Sequence, residues 1–283
     1  MKNQKNIQFI PSHYARCINK YEIDLTNGCN VRCCYCSLKN TKWKVGMAFD
    51  EIPLDIKEKG VYLSPNSDPF SKIARNTAHE ILDQFLPQGV PFLIITKNKI
   101  PKKTVDLLAR HPSQVYVQIS ISRLDDSLNS YIEPGAASAS ERLQTIKELV
   151  TAGIRVTPVL MPLFPMIDDT PKKISAIVNA CANVGAKYLK ASYVIINPYD
   201  LEQIQRMMFH LLLNESLLQM TEEVKIHIGG GLTVRNLERM SLYRRLTQLC
   251  TDHGMHFQAC PILDPAVLDV KDIPICATYR KKN

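Results

Sequence analysis

Three cysteines in one short stretch are the residues of this sequence whose type and spacing most clearly indicate chemistry. Cys29, Cys33 and Cys36 follow the pattern C-x3-C-x2-C, and Tyr35 lies directly before the last of them. Thiolates favour zinc, copper(I) or iron–sulfur clusters, and a closed iron–sulfur site takes four cysteines. A loop with three cysteines would therefore leave one iron of a cluster without a protein ligand, open to an exogenous molecule.

A structural zinc site, with Cys34 as the fourth ligand, is the alternative interpretation of this stretch. Zinc sites typically combine one close pair of cysteines with a second, distant pair. The side chains of the adjacent Cys33 and Cys34 would also point apart, which suits a single tetrahedral ion poorly. We therefore interpret Cys34 as a small apolar residue, or as a neighbour of the ligands, and not as a ligand.

The spacing, with an aromatic residue before the third cysteine, resembles the signature of the radical S-adenosylmethionine (SAM) enzymes. The resemblance implies a 4Fe-4S cluster held by Cys29, Cys33 and Cys36, whose open iron is chelated by the amino and carboxylate groups of SAM. It also implies that one electron from the reduced cluster breaks a carbon–sulfur bond of SAM. A reductase or flavodoxin is then the expected electron donor.

Alternating strands and helices are predicted to position the cysteine loop. Apolar runs predict six strands, at 21–25, 60–63, 92–96, 115–121, 154–160 and 188–196. Helical periodicity predicts helices at 77–85, 101–110, 138–150 and 171–184, the third with a Ser138-x-x-Glu141 capping box. This alternation predicts a parallel α/β sheet, with a doubly wound sheet as the alternative. Six units fit the open (β/α)6 partial TIM barrel that radical SAM proteins share.

The chain is predicted to divide into two parts. Residues 1–200 would form the partial barrel with an irregular N-terminal arm, and residues 201–283 a C-terminal α/β extension that closes the barrel. In the extension we predict helices at 201–220 and 236–253, strands at 224–228 and 256–259, and a flexible turn at 229–231. Residues 39–58 show no clean periodicity.

Polar side chains follow the predicted strands, where a parallel β/α barrel carries its working groups. They are Ser67 and Asp68 after the second strand, Thr96 and Lys97 after the third, Ser120 and Ser122 on the fourth, and Glu133 in the loop beyond. Each has an ordinary alternative: a turn or helix cap for Ser67 and Asp68, a solvated strand end for Lys97, and a surface ion pair of Glu133 with Arg142.

Together with residues 141–143 and 152–154, these side chains resemble the spore photoproduct lyase family and its photolyase-like relatives, from about Tyr21 to Pro165. The resemblance implies SAM contacts from Ser67, Lys97 and Ser120, with Lys97 paired to the SAM carboxylate. The wider set of expected cofactor-binding residues adds Tyr35, Asp68, Glu133 and Arg142. The family's hydrogen-donating cysteine is missing, because Pro65 and Asn66 precede Ser67. This departure counts against repair of a thymine photoproduct.

The string Arg32-Cys33-Cys34-Tyr35-Cys36 also resembles that of the radical SAM enzyme of arsinothricin biosynthesis. This narrower resemblance implies transfer of the 3-amino-3-carboxypropyl group of SAM to trivalent arsenic, with arsenite as the small-molecule substrate. Arsenite is thiophilic, and we expect Cys260 and Cys276 in the irregular tail to bind it, whereas Cys181 is expected in the core. A reaction on nucleic acid is the alternative.

The composition is compatible with an anionic partner. Lys and Arg number 35 against 27 Asp and Glu, a net charge of +8, which suits nucleic acid or an anionic metabolite. The sequence contains no apolar run of the roughly 18 residues that a transmembrane helix requires, and its first residues lack the apolar core of a secretory signal. With an odd number of cysteines as well, we expect a cytoplasmic protein in a reducing compartment, without a membrane partner.

Overall fold

Eight strands form one open sheet in the structure of the protein, a computed structural model that describes residues 4–11, 20–36, 44–196, 221–226 and 229–259. In chain order the strands of these residues are β1 (Gln4–Ile7), β2 (Ile10–Pro11), β3 (Tyr21–Ile23), β4 (Lys44–Phe49), β5 (Val61–Leu63), β6 (Phe92–Thr96), β7 (Val115–Ser120), β8 (Arg155–Leu163), β9 (Tyr188–Tyr193), β10 (Thr221–Ile226), β11 (Gly229–Val234) and β12 (His256–Ala259). The helices are α1 (Ile56–Lys59), α2 (Arg75–Phe85), α3 (Lys102–Ala109), α4 (Asp126–Ile132), α5 (Ala139–Thr151), α6 (Pro171–Asn183) and α7 (Asn236–Asp252).

The large sheet runs in the order β12-β9-β8-β7-β6-β5-β3-β2. All neighbouring pairs are parallel except β2 with β3, which is antiparallel. β1 with β4 and β10 with β11 form two separate two-stranded sheets. Because parallel strands all point the same way, the loops after β3, β5, β6, β7 and β8 meet at one edge of the sheet, which we call the carboxyl edge.

The helices are held to the sheet by one apolar stripe each. In α2 the buried residues recur at spacings of three and four, which places them on one helix face: Ala78, Ile81, Leu82 and Phe85. On the strands they face fully buried side chains such as Leu63, Ile94 and Val117. Burial of each large aliphatic side chain contributes roughly 1.5–3 kcal/mol to the free energy of folding. This packing holds the strand ends in fixed positions relative to one another.

The fold class predicted from the sequence is confirmed, since the sheet is mostly parallel and does not close. The six barrel strands and four intervening helices lie within three residues of their predicted bounds. The predicted capping box is present: the Ser138 side chain accepts from the Glu141 backbone N–H, and Glu141 accepts from the Ser138 N–H. The predicted helix and strand near the C-terminus correspond to α7 and β12.

Several local predictions are wrong. Residues 229–231 are not a turn but belong to β11, because backbone hydrogen bonds to β10 need no side chain. The N-terminal arm contains β1 and β2, and the segment without periodicity contains β4 and α1. Helix α4 occupies part of what was predicted as a loop.

The helix predicted at 201–220 lies outside the described residues, as does the predicted boundary between residues 200 and 201. The division into two parts therefore stays a prediction. Among the helices that the structure describes, none is long and apolar enough to cross a membrane.

Candidate active site

The cysteine loop leaves β3 at the carboxyl edge and is shaped by tight turns. Gly28 and Arg32 both adopt left-handed backbone conformations, with φ of 92° and 58°. The Thr26 hydroxyl donates a hydrogen bond to the Gly28 carbonyl at 2.9 Å, and the Cys36 N–H donates to the Cys33 carbonyl at 3.1 Å. These turns bring three cysteines, which are four and three residues apart in sequence, to the lining of one pocket.

That pocket gathers most of the site residues predicted from the sequence. Its lining includes Cys29, Cys33, Tyr35, Cys36, Ser67, Asp68 and Lys97, contributed by the cysteine loop and by the ends of β5 and β6. Ser120, Glu133 and Arg142 are absent from its lining. The structure therefore separates the predicted set into residues that face the pocket and residues that lie behind it.

The donor set of the pocket fits an iron–sulfur cluster. Cys29, Cys33 and Cys36 line it and none forms a disulfide. Burial raises the pKa of Cys29 above its ordinary value and that of Cys33 to about 12, although the charge of Lys97 opposes the latter shift. The metal-free thiols of Cys29 and Cys33 are thus held protonated, and metal binding must release their protons.

Cys34 lies among apolar side chains and does not line the pocket. It packs against a second apolar cluster formed by Ile132, Phe164, Ile167, Val194 and Ile196. This placement agrees with the interpretation of Cys34 as an apolar neighbour of the ligands. Among the described residues, no group of three or more His, Cys, Asp or Glu side chains is arranged to hold a single metal ion.

Asp68 holds the end of β6 in place. One carboxylate oxygen accepts hydrogen bonds from the Thr96 hydroxyl at 2.7 Å and the Phe70 N–H at 2.9 Å. The other accepts from the Lys97 N–H at 2.7 Å. Asp68 thereby fixes the backbone of Lys97, whose half-buried side chain lines the pocket. A direct SAM contact from either residue stays a prediction.

The turn after β5 is tied to the end of β3 by polar residues, of which sequence reasoning selected only Ser67. The hydroxyl oxygens of Ser64 and Ser67 are 2.5 Å apart, and the Ser64 hydroxyl accepts from the Leu25 N–H at 3.3 Å. The Asn66 side chain donates to Asp24 at 2.7 Å. A signal was available in the sequence, because Ser64 and Asp24 directly follow their strands.

Tyr35 joins the cysteine loop to a buried ion pair. Its hydroxyl donates to Glu133 Oε1 at 2.6 Å, and Glu133 Oε2 lies 2.7 Å from Arg142 Nη2. Burial alone would raise the pKa of Glu133, but the positive charges of Lys97 and Arg142 outweigh it and the pKa is lowered. Burial and the adjacent Glu133 charge raise the pKa of Tyr35.

The alternative of a surface ion pair between Glu133 and Arg142 is wrong. Both side chains are only 1% exposed, because α4 and α5 enclose them beneath the cysteine loop. Ser120 also lies behind the pocket, where its hydroxyl donates to the Met161 carbonyl at 2.7 Å and links β7 to β8. Cofactor contacts from these three residues remain predictions.

A second buried ion pair, which sequence reasoning missed, is connected to Tyr35 through the ring of Phe164. Arg123 donates to both carboxylate oxygens of Asp168, at 2.9 and 2.8 Å. Its guanidinium lies 5.9 Å from the Phe164 ring, and that ring is 5.7 Å from the ring of Tyr35. The available signal was the position of Arg123 and Asp168 just beyond two neighbouring strands.

The cysteines predicted to bind arsenite, Cys260 and Cys276, lie outside the described residues. Cys181 is fully buried in α6, which confirms its expected place in the core. Cys250 of α7 is buried as well.

Comparison with known proteins identifies the family of the site. Residues 23–175 match the family model of the radical SAM superfamily. The chain is 28% identical over 204 residues to an uncharacterised protein of Acidianus two-tailed virus, covering 69% of this chain and 64% of that protein. It is 28% identical over 140 residues to the radical SAM Nalpha-GlyT isomerase of Pseudomonas phage M6, covering 47% of this chain and 28% of the isomerase. The chain thus spans less than two thirds of the length of these relatives.

The fold matches that of a solved spore photoproduct lyase complexed with dinucleoside spore photoproduct. The TM-score is 0.68 at 15% identity, covering 91% of this chain and 81% of the lyase. At that identity the similarity establishes the shared fold.

The first prediction concerns the cluster ligands. Replacing Cys29, Cys33 or Cys36 by Ala should each abolish iron binding, because each removes a pocket-facing thiol. Cys34→Ala should retain the iron, since Cys34 faces the apolar cluster. Iron and acid-labile sulfide analysis after anaerobic reconstitution measures this. Loss of iron from the Cys34 variant, with retention in the Cys29 variant, would refute the ligand assignment.

The second prediction concerns the pH dependence of stability. Glu133→Gln should lower the free energy of unfolding at pH 7 by about 3–5 kcal/mol, because it leaves the Arg142 charge buried without its partner. Since the folded-state pKa of Glu133 is lowered, its contribution is complete above the ordinary glutamate pKa of about 4.3 and is lost as the pH falls through the folded value. The difference between wild type and variant should therefore shrink on acidification.

Urea titrations at a series of pH values measure that difference. Glu80→Gln, on the exposed face of α2, is the matched control and should change stability by less than about 0.5 kcal/mol. A difference between wild type and Glu133→Gln that does not change with pH would contradict the assignment.

Proposed function

Because this chain belongs to the radical SAM superfamily, we propose that it is an enzyme of the spore photoproduct lyase-like branch that acts on a nucleic acid. As in its superfamily, the cofactors are a 4Fe-4S cluster and SAM. When bound, the cluster supplies one electron to SAM and a carbon–sulfur bond breaks. Cys29, Cys33 and Cys36 would hold the cluster, and Lys97 would pair with the SAM carboxylate.

The observation that carries the choice of substrate is the charge of the carboxyl edge. The loops after β3, β5 and β6, with the first turn of α2, carry four exposed cations at the carboxyl edge, where the half-buried Lys97 also lies: Arg32, Lys72, Arg75 and Lys99. The acidic residues of these loops, Asp24 and Asp68, are hydrogen-bonded within the protein. A positively charged rim beside a reactive pocket is suited to a phosphodiester backbone.

The absence of a thiol beside Ser67 favours a rearrangement over repair of a photoproduct. Pro65 and Asn66 line the pocket at that position, and the Asn66 side chain is held by Asp24. A lyase that relies on a cysteine directly before Ser67 to return a hydrogen atom lacks that donor at these two positions. A rearrangement requires no such thiol donor if the molecule that abstracted the hydrogen atom also returns it. One relative of this chain is named as an isomerase.

The third prediction tests the nucleic-acid substrate. The double variant Lys72→Glu/Lys99→Glu should weaken binding of single-stranded DNA and reduce the slope of log affinity against log salt by roughly 1.4, because each lysine–phosphate contact with a single strand contributes roughly 0.7. Lys57→Glu/Lys187→Glu makes the same change in net charge at exposed lysines of α1 and of the turn before β9. These lysines lie before strands and not after them, so this control should bind DNA with nearly unchanged affinity.

Fluorescence anisotropy at several salt concentrations measures both variants. Equal loss of affinity in the two would show that only net charge matters. No measurable loss in either would remove nucleic acid as the proposed substrate.

The fourth prediction identifies the bond that breaks in SAM. With dithionite as reductant and no nucleic acid present, we expect 5′-deoxyadenosine as the adenosyl fragment, measured by mass spectrometry. Transfer of the aminocarboxypropyl group to arsenite, which the Arg32–Cys36 string predicts, would instead release methylthioadenosine, and release would depend on arsenite. That reaction rests on the string, on the missing donor cysteine beside Ser67 and on spare cysteines in the tail, of which Cys260 and Cys276 lie outside the described residues. Arsenite-dependent methylthioadenosine would therefore overturn the proposal.

A further inference from the structure

We propose that residues 132–137, from the last residue of α4 into the turn before α5, act as a clamp that fixes the cysteine loop relative to Lys97, with Arg142 as its positioning residue. This inference rests on the proposed function, in which the loop holds the cluster and Lys97 binds SAM. It assigns Arg142 and Glu133 a different task from the cofactor contact that the sequence predicts.

On one side the clamp lies directly against the backbone of the cysteine loop. The Cys34 N–H donates to the Ile132 carbonyl at 2.9 Å, and the Gly135 N–H donates to the Val31 carbonyl at 2.8 Å. A Cβ atom on Gly135 would lie 2.6 Å from the Asn30 carbonyl oxygen and 2.7 Å from Val31 Cα. Backbone atoms cannot move aside as a flexible side chain does, so only glycine permits this approach.

On the other side the clamp holds the end of β6. The Ala137 N–H donates to the Lys97 carbonyl at 3.1 Å. The Lys97 N–H donates in turn to Asp68, so both backbone polar groups of Lys97 are bonded to neighbouring segments. The six-residue clamp therefore bridges the segment that carries the three cysteines and Lys97, which lines the same pocket.

Arg142 fixes the shape of the clamp by binding both of its ends. Its Nε donates to the Ala137 carbonyl at 2.8 Å, and Nη2 donates to Glu133 at 2.7 Å. Its Nη1 donates to the Ser120 carbonyl at 3.0 Å, which anchors the assembly to the end of β7. The planar fork of a guanidinium reaches three acceptors in different directions, which a lysine ammonium on a flexible stem cannot reproduce.

Tyr35 adds a side-chain bond between loop and clamp. Its hydroxyl donates to Glu133, the same carboxylate that Arg142 holds, so the aromatic residue of the cysteine motif is oriented by the clamp. Two backbone hydrogen bonds and one side-chain hydrogen bond therefore join the clamp to the loop. One further backbone hydrogen bond, to Lys97, joins the clamp to the end of β6. A disturbance of the clamp should move the loop and Lys97 together.

The test uses Gly135→Ala, which inserts a methyl group between clamp and loop without changing any charge, and Arg142→Lys, which keeps the charge but removes the fork. Hydrogen–deuterium exchange of the metal-free protein should be at least about tenfold faster in both variants for peptides covering 29–36 and 95–99. Peptides of the β7 core should keep their protection. Ser130→Ala, on the exposed face of α4 just before the clamp, is the control and should leave the exchange of both peptides unchanged.

Loading experiments give a second readout. After reconstitution, Gly135→Ala should lower both the iron content and the SAM affinity of the loaded fraction, measured by equilibrium binding. Lys97→Ala should weaken SAM binding while the iron content stays at the wild-type level, because that variant leaves the backbone bonds of the clamp in place.

Three outcomes would overturn the inference: unchanged exchange at the cysteine loop in Gly135→Ala, faster exchange at the loop without any change at 95–99, or lower iron content with unchanged SAM affinity. The exchange experiment needs neither cofactor. Failure of the wild-type protein to take up iron and SAM would therefore count against the proposed function, while the exchange data would still decide whether the clamp exists.

Discussion

The buried ion pair between Glu133 and Arg142 is the interaction on which the geometry of the pocket depends. Two charges removed from water at 1% exposure cost several kcal/mol each, and a single ion pair seldom repays that cost. Here both charges are hydrogen-bonded further, Arg142 to two backbone carbonyls and Glu133 to Tyr35. The pair is therefore better explained by the positions it fixes than by the stability it contributes, because its partners are the segments that surround the cysteines.

The parallel sheet supplies the other half of that geometry. Because the strands all point the same way, the cysteine loop, the Ser64–Asp68 turn and Lys97 lie at one edge of the sheet. No motif within any one of these segments indicates that they meet there. Asp68 then fixes the backbone position of Lys97 at this edge, since it accepts hydrogen bonds from the Thr96 hydroxyl and the Lys97 N–H at 2.7 Å each. Strand order places the residues near one another, and buried carboxylates set their exact positions.

The parts of this arrangement that the sequence predicted are those coded locally. The apolar strand runs and the Ser138–Glu141 capping box each occupy a few adjacent residues, and both were found as predicted. The cysteine spacing is equally local, and its three thiols line one pocket. The parts that it missed depend on contacts between distant segments. Nothing near Arg142 indicates that it is buried, the glycines at 229–231 form a strand only because β10 pairs with them, and the tight approach of Gly135 involves residues about a hundred positions away.

The exposed charges of the carboxyl edge indicate where a polyanion would bind relative to the pocket. The cations of the rim follow β3, β5 and β6, whereas the exposed Asp125 and Asp126 follow β7. A polyanion attracted to this edge would thus lie across the side that holds the cysteine loop and Lys97, and would be repelled from the side of α4. With Pro65 and Asn66 where a thiol donor would stand, a radical formed on that substrate meets no sulfur hydrogen from the Ser64–Asp68 turn. In the proposed function the hydrogen would instead return from the molecule that removed it, which is the condition for a rearrangement.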